Sequence, residues 1–256
     1  MVQQFADILI VTGQGIWFHG RFFAEFKDLD VYLDHLKTAW RIARKYRYTH
    51  IVLSGGYTQA QVPHVSEAGG MLSLLRELRI VPDDPTRIIL DHHAYDSAEN
   101  VIMGLIAAQL QFGGIPIRRI GISNSWLGKK KRFSLLAKEL GIEDRLFFHG
   151  YAPWNRALDP DGAQRGEVHQ CALVENDPLM LQPDPWEKKR RMRYHGPTAF
   201  EHRFDQFAPH FPGFFAALNT LRDSGRTPDN VMALRQSFAQ EILHEAVAVR
   251  SQTISG

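Results

Sequence analysis

The chain has 256 residues, enough for one large α/β core or a core with an appendage, and 44% hydrophobic against 23% charged content marks a folded protein, not a disordered one. With 30 Lys and Arg against 28 Asp and Glu, the net formal charge is +2, which makes no global case for nucleic acid as a partner. The lone Cys171 excludes an intrachain disulfide and any cysteine-based metal signature, and fits a reducing compartment.

The opening MVQQFADILIVTGQG contains Asp7 and only a short apolar run, so it reads as neither a signal peptide nor a membrane span. No later segment reaches the ~18 apolar residues of a spanning helix, and the expectation is a cytoplasmic protein. Residues 8–11 form a first strand ending in Thr12-Gly13-Gln14-Gly15. Residues 30–46 place Tyr32, Leu33, Leu36, Ala39 and Trp40 near helical spacing. A second strand, 51–53, ends in Ser54-Gly55-Gly56 and is followed by a helix over 66–80. The third strand, 87–90, leads to Asp91-His92-His93 and a helix over 97–111. A fourth, 117–122, delivers Ser123-Asn124-Ser125 before a helix over 127–140, and 145–148 is the last strand.

Strands alternating with helices predict an α/β fold: a Rossmann-like parallel sheet flanked by helices, spanning 1–150, with right-handed crossovers. The character changes after Gly150. Residues 151–164 read as loop, 181–197 hold three prolines and a dense basic run, and helices are expected near 200–222 and 228–248. Residues 151–256 are therefore expected to be a mostly helical extension packed on the sheet domain. It would cover the sheet or offer a surface to a protein partner or a second copy.

Ligands of open parallel sheets sit outside the carboxyl ends of the strands. There glycine lets the backbone approach an anion closely, and helix N-termini favour negative charge. The candidate ligand-binding residues are Gly13, Gly15, Ser54, Gly55, Gly56, Ser97, Ser123, Asn124 and Lys130, with Glu67 and Asn100 as candidate catalytic residues. Ser97 and Asn100 lie three apart, on one helix face. The pattern lacks the third glycine of the dinucleotide fingerprint and has no GxxxxGK[ST] loop. Structural readings compete at several places. Asp96 with Glu99 is close to a capping box. His92 and His93, adjacent on an extended chain, point apart and make a poor metal pair. Lys129–Arg132 reads as a phosphate clamp or a solvated helix face. The run 188–193 reads as a solvated helix or loop before it reads as a nucleic-acid contact. The phenylalanines of 199–218 read as a core for the extension.

Val11–Gly15, Ser54-Gly55-Gly56, Ser66-Glu67-Ala68, Ser97-Ala98-Glu99-Asn100 and Ile122-Ser123-Asn124-Ser125, in this order over about residues 7–150, resemble the SanA/YdcF-like domain family. The resemblance implies a Rossmann-like fold with a polar pocket over the strand ends. It also implies a nucleotide-type ligand, for which S-adenosylmethionine has been suggested, and a role for some members in the bacterial envelope. Where the family usually has a histidine and then an arginine after the fourth strand, this chain has Leu127 and Lys130. His19, His64, His93 and His149 are the alternatives for acid–base work. Two functions follow as expectations. One is an enzyme acting on a small anionic or nucleotide-like substrate by group transfer or hydrolysis. The other is a non-catalytic nucleotide or S-adenosylmethionine sensor or assembly factor.

Overall fold

The computed structural model describes residues 5–24, 29–80, 87–150 and 160–245. The chain runs through β1 (Ala6–Thr12), a hairpin of β2 (Ile16–Phe18) and β3 (Arg21–Phe23), α1 (Leu29–Lys45), β4 (His50–Ser54) and α2 (Glu67–Glu77). It continues through β5 (Ile88–Asp91), α3 (Ser97–Phe112), β6 (Ile117–Asn124), α4 (Lys130–Leu140) and β7 (Leu146–Gly150). Five of these strands form one parallel sheet in the order β5-β4-β1-β6-β7. The order reverses at β1, which places the topological switch point between β1 and β6. This is the Rossmann-like α/β architecture expected.

β1 is buried along its whole length. Because successive side chains of a strand point to opposite faces, it feeds two cores. Ile8 and Ile10, with Val52, Ile120 and Ile122, pack under Val101 and Leu105 of α3 and Phe133 and Leu136 of α4. Leu9 and Val11, with Ile51 and Leu53, pack under Tyr32 and Leu36 of α1 and Met71 and Leu75 of α2. Each fully buried side chain of this size contributes about 1.5–3 kcal/mol. At the amino edge Asp7 is buried and held by Arg118 at 2.7 Å and Arg119 at 3.0 Å.

The extension supplies α5 (Pro160–Asn176), α6 (Lys188–Arg193), α7 (Pro212–Ser224) and α8 (Pro228–Ser237). Phe214, Leu234, Phe238 and Ile242 join the same cluster as Ile8 and Ile10, so the phenylalanines do not form a separate core. Arg226 Nε and Nη2 clamp buried Glu139 of α4 at 2.7 and 2.6 Å. Among the described residues, no helix is long and apolar enough to cross a membrane.

Several boundaries differ from the pattern-based reading. The part of 151–164 that is described is helical, since α5 starts at Pro160, where a missing N–H is tolerated. Residues 151–159 lie outside the described residues. Before α7 the chain makes only a short turn at Phe200–His202 and further turns, because Pro209 and Pro212 disfavour helical geometry in the residues before them. Residues 127–129 form a separate tight turn ahead of α4. α8 ends at Ser237 and a wider turn continues to Ile242, while residues 246–248 of the expected helix lie outside the described residues. The β2–β3 hairpin was not anticipated. Its two-residue turn, His19-Gly20, has φ of 47° and 73°, the pair of positive values that a tight hairpin turn needs.

Candidate functional site

A cavity of about 300 Å³ lies over the carboxyl ends of the strands. Gly13 and Gln14 reach it from β1, Glu67 from the loop and helix after β4, and Ser97 and Asn100 from the start of α3. Lys129 and Arg132 enter from beyond β6. The extension closes it with Met180, Trp186, Lys189 and Arg193. Four of the expected residues, Gly13, Glu67, Ser97 and Asn100, therefore line one cavity.

The glycine loops serve Glu67. The Gly13 amide donates to Ser54 O at 2.6 Å, the Gly55 amide to Asp91 O at 3.0 Å and the Gly56 amide to Ala94 O at 2.7 Å. Glu67 N and Ala68 N, at the start of α2, donate back to Gly56 O and Gly55 O. These amides are used in holding the strand-end loops together. What the glycines supply is room. A Cβ on Gly13 would stand 2.3 Å from Glu67 Oε2, and one on Gly55 2.6 Å from it. The Glu67 side chain, 6% exposed, thus lies across two glycines. Its Oε1 accepts from Thr58 Oγ1 at 2.7 Å and lies 3.5 Å from Arg193 Nη2. Ser66 caps α2 by accepting from Gly69 N, and its hydroxyl shares a hydrogen bond of 2.6 Å with His92 Nδ1.

The other expected residues stand back from the cavity. Ser54 is fully buried behind it, and Gly56 lies against the Tyr95 ring. Gly15 packs under Phe22 and Phe23 of the hairpin. Ser123 is buried within the sheet. Asn124 uses both ends of its amide, donating to Thr12 Oγ1 at 2.6 Å and accepting from Trp126 N at 2.9 Å. Lys130 is exposed, while its neighbours Lys129 and Arg132 line the cavity. Leu127 is exposed as well. Among the four alternative histidines, none lines the cavity: His19 and His64 meet the Phe18 ring edge to face, His93 meets Phe207 in the same way, and His149 bonds Tyr48.

The basic run 188–193 is only in part the solvated helix expected: Lys188, Arg191 and Met192 are exposed, but its other side turns inward. Arg190 is buried, with Nε 2.5 Å from Asp96 Oδ2 and 3.0 Å from Glu99 Oε1. Arg193 donates to Tyr95 O at 2.8 Å, and Arg203 reaches Glu99 Oε1 at 3.1 Å. Asp96 also caps α3, accepting from Glu99 N at 2.9 Å, as the capping-box spacing predicts. Burial alone would raise both carboxyls. Arg190 outweighs it at Asp96, which is held below its ordinary range, whereas Glu99 stays raised. Arg132 makes a two-pronged pair with Glu167 of α5. Lys189 makes no ion pair among the described residues; burial lowers its pKa, against a smaller pull from Asp96. Among the described residues, the lining thus sets four cationic side chains, Lys129, Arg132, Lys189 and Arg193, against two carboxylates, Glu67 and Asp96. Among the described residues, no group of three or more His, Cys, Asp or Glu is arranged to hold a metal ion. Sequence reasoning missed Gln14, Lys189, Arg193 and Trp186; the basic run was visible, but its destination was not. No family model matches this chain, and neither a curated protein nor a solved structure does.

Proposed function

We propose that the cavity binds a small anionic, nucleotide-like substrate and that the protein is an enzyme acting on it by group transfer or hydrolysis. The observation that carries this reading is the excess of cations over carboxylates among the described residues that line a polar cavity, with Lys189 lacking an ion-pair partner among them. An anion entering there gains charge-assisted hydrogen bonds in a partly desolvated site. The same cations count against S-adenosylmethionine, whose sulfonium they would repel. The ordered motifs resemble those of the SanA/YdcF-like domain family, and that resemblance supports a nucleotide-type ligand among anions. Glu67 is the residue to accept a proton from an attacking water or hydroxyl, since it is a buried carboxylate at the cavity wall, held by Thr58. Ser97 and Asn100 would orient the substrate.

The test is thermal stabilisation against inorganic phosphate, nucleotides, nucleotide sugars, sugar phosphates and S-adenosylmethionine, with turnover followed for every ligand that stabilises. A ligand at ~100 times its Kd stabilises the fold by about 2.7 kcal/mol. Lys189→Ala is expected to abolish that stabilisation, and Glu67→Gln to keep it while losing turnover. Stabilisation without turnover in the parent protein supports the sensor reading instead. No stabilisation by any anion sinks both.

A further inference from the structure

Ser54, Asp91 and Asn100 meet where β4, β5 and α3 converge, behind the cavity wall. Ser54 Oγ lies 2.6 Å from Asp91 Oδ2 and 2.8 Å from Asn100 Oδ1. Ser54 is 0% exposed and Asp91 1%. The orientation of Asn100 is set independently, because its Nδ2 donates to the Asp96 carbonyl at 2.6 Å. The reversed amide would bring two oxygens together there with no hydrogen between them. Asn100 Oδ1 must therefore face Ser54.

A serine hydroxyl has one hydrogen to give. If it goes to an ionised Asp91, Asn100 Oδ1 faces a bare oxygen at 2.8 Å. If it goes to Asn100, Asp91 Oδ2 must bring its own hydrogen to the Ser54 oxygen. The other carboxyl oxygen is already in use, accepting from His93 N at 2.8 Å. We infer that Asp91 is a neutral carboxylic acid that donates to Ser54, which donates in turn to Asn100, and that this proton holds the Asn100 amide in place on the cavity wall. Asp91 is then a positioning residue that acts through Ser54.

The surroundings agree. Burial raises the Asp91 pKa to about 7, opposed by the bonds from Ser54 and His93 and reinforced by Glu99. Glu99 is the charged group facing it from α3, itself paired with Arg190 of α6 and with Arg203. His92 and His93, in the loop after β5, are both shifted by burial towards the neutral form. Loss of the proton turns the Ser54 hydrogen towards Asp91 and releases Asn100.

The consequence for stability has a definite sign. The folded protein holds this proton more tightly than the unfolded chain, where an aspartate titrates near 3.9. The stabilisation is complete below that value, falls as pH rises and levels off above about 7. Asp91→Asn puts an amide N–H where the acid O–H stands and keeps an acceptor for His93, so it mimics the protonated state at every pH.

The test is chemical denaturation of the full-length parent and Asp91→Asn from about pH 4 to 9, with NMR of the parent's carboxyl carbons and of the Asn100 side-chain amide. Relative to the variant, the parent's folding constant is expected to drop about tenfold per pH unit until about 7 and then stay level. One aspartate signal and the Asn100 amide signal should titrate together, and in Asp91→Asn both changes should vanish. A parent-to-variant difference that is flat with pH, or aspartates that all titrate in the ordinary range, overturns the inference. If Asp91→Asn does not fold, the parent's NMR titration decides alone. No ligand enters these measurements, so a failed anion panel leaves their outcome independent.

Discussion

Glu67 and the two glycines beneath it behave as one unit. Substituting Gly13 by Ala would push a methyl group into Glu67 Oε2 and also to 2.6 Å from Glu67 Cβ, which rotation of the carboxyl end cannot relieve. Gly13→Ala is expected to cost about 1–3 kcal/mol, the usual range for overpacking. In a Glu67→Ala background the cost should fall below half of that. The check is a double-mutant cycle by urea denaturation, and additive effects would show that Glu67 is not the neighbour that matters. The sequence made Glu67, Gly13, Ser97 and Asn100 readable as site residues because a strand end followed by a helix start is a local pattern. It pointed to Lys130 where the structure uses Lys129. A short turn precedes α4, and neighbouring helical residues point about 100° apart, so Lys129 lines the cavity and Lys130 meets solvent.

At the scale of elements, α6 shows how a charge run misleads. Six residues, five of them basic, carry no periodicity that says which side is buried. The answer lies 94 positions away, where Asp96 of the α3 cap receives Arg190. Removing Arg190 leaves Asp96 and Glu99 buried without that partner, and Arg190→Ala is expected to destabilise by about 3–5 kcal/mol. Arg191, itself exposed and paired with exposed Glu201 and half-buried Glu187, is the internal control, and Arg191→Ala should leave the denaturation midpoint nearly unchanged. Equal midpoints for the two variants would mean that α6 does not anchor the extension.

Across the whole molecule, one apolar cluster joins the sheet to the extension: Ile8 and Ile10 of β1 share it with Phe214, Leu234, Phe238 and Ile242. A single cooperative unfolding transition is expected, coincident by fluorescence and circular dichroism. A fragment of residues 1–150 should expose one face of the sheet and aggregate or bind a hydrophobic dye; two separated transitions would contradict this. The sequence alone determined the strand–helix alternation, the parallel sheet and the edge where a cavity forms, because strand and helix periodicities and caps are local. Tertiary structure alone decided that the basic run closes that cavity and that the glycine amides serve the loops. It also decided that Ser54 stands between Asp91 and Asn100. Those outcomes depend on contacts between residues far apart in the chain, and a buried charge or hydroxyl takes its meaning from the partner that folding brings to it.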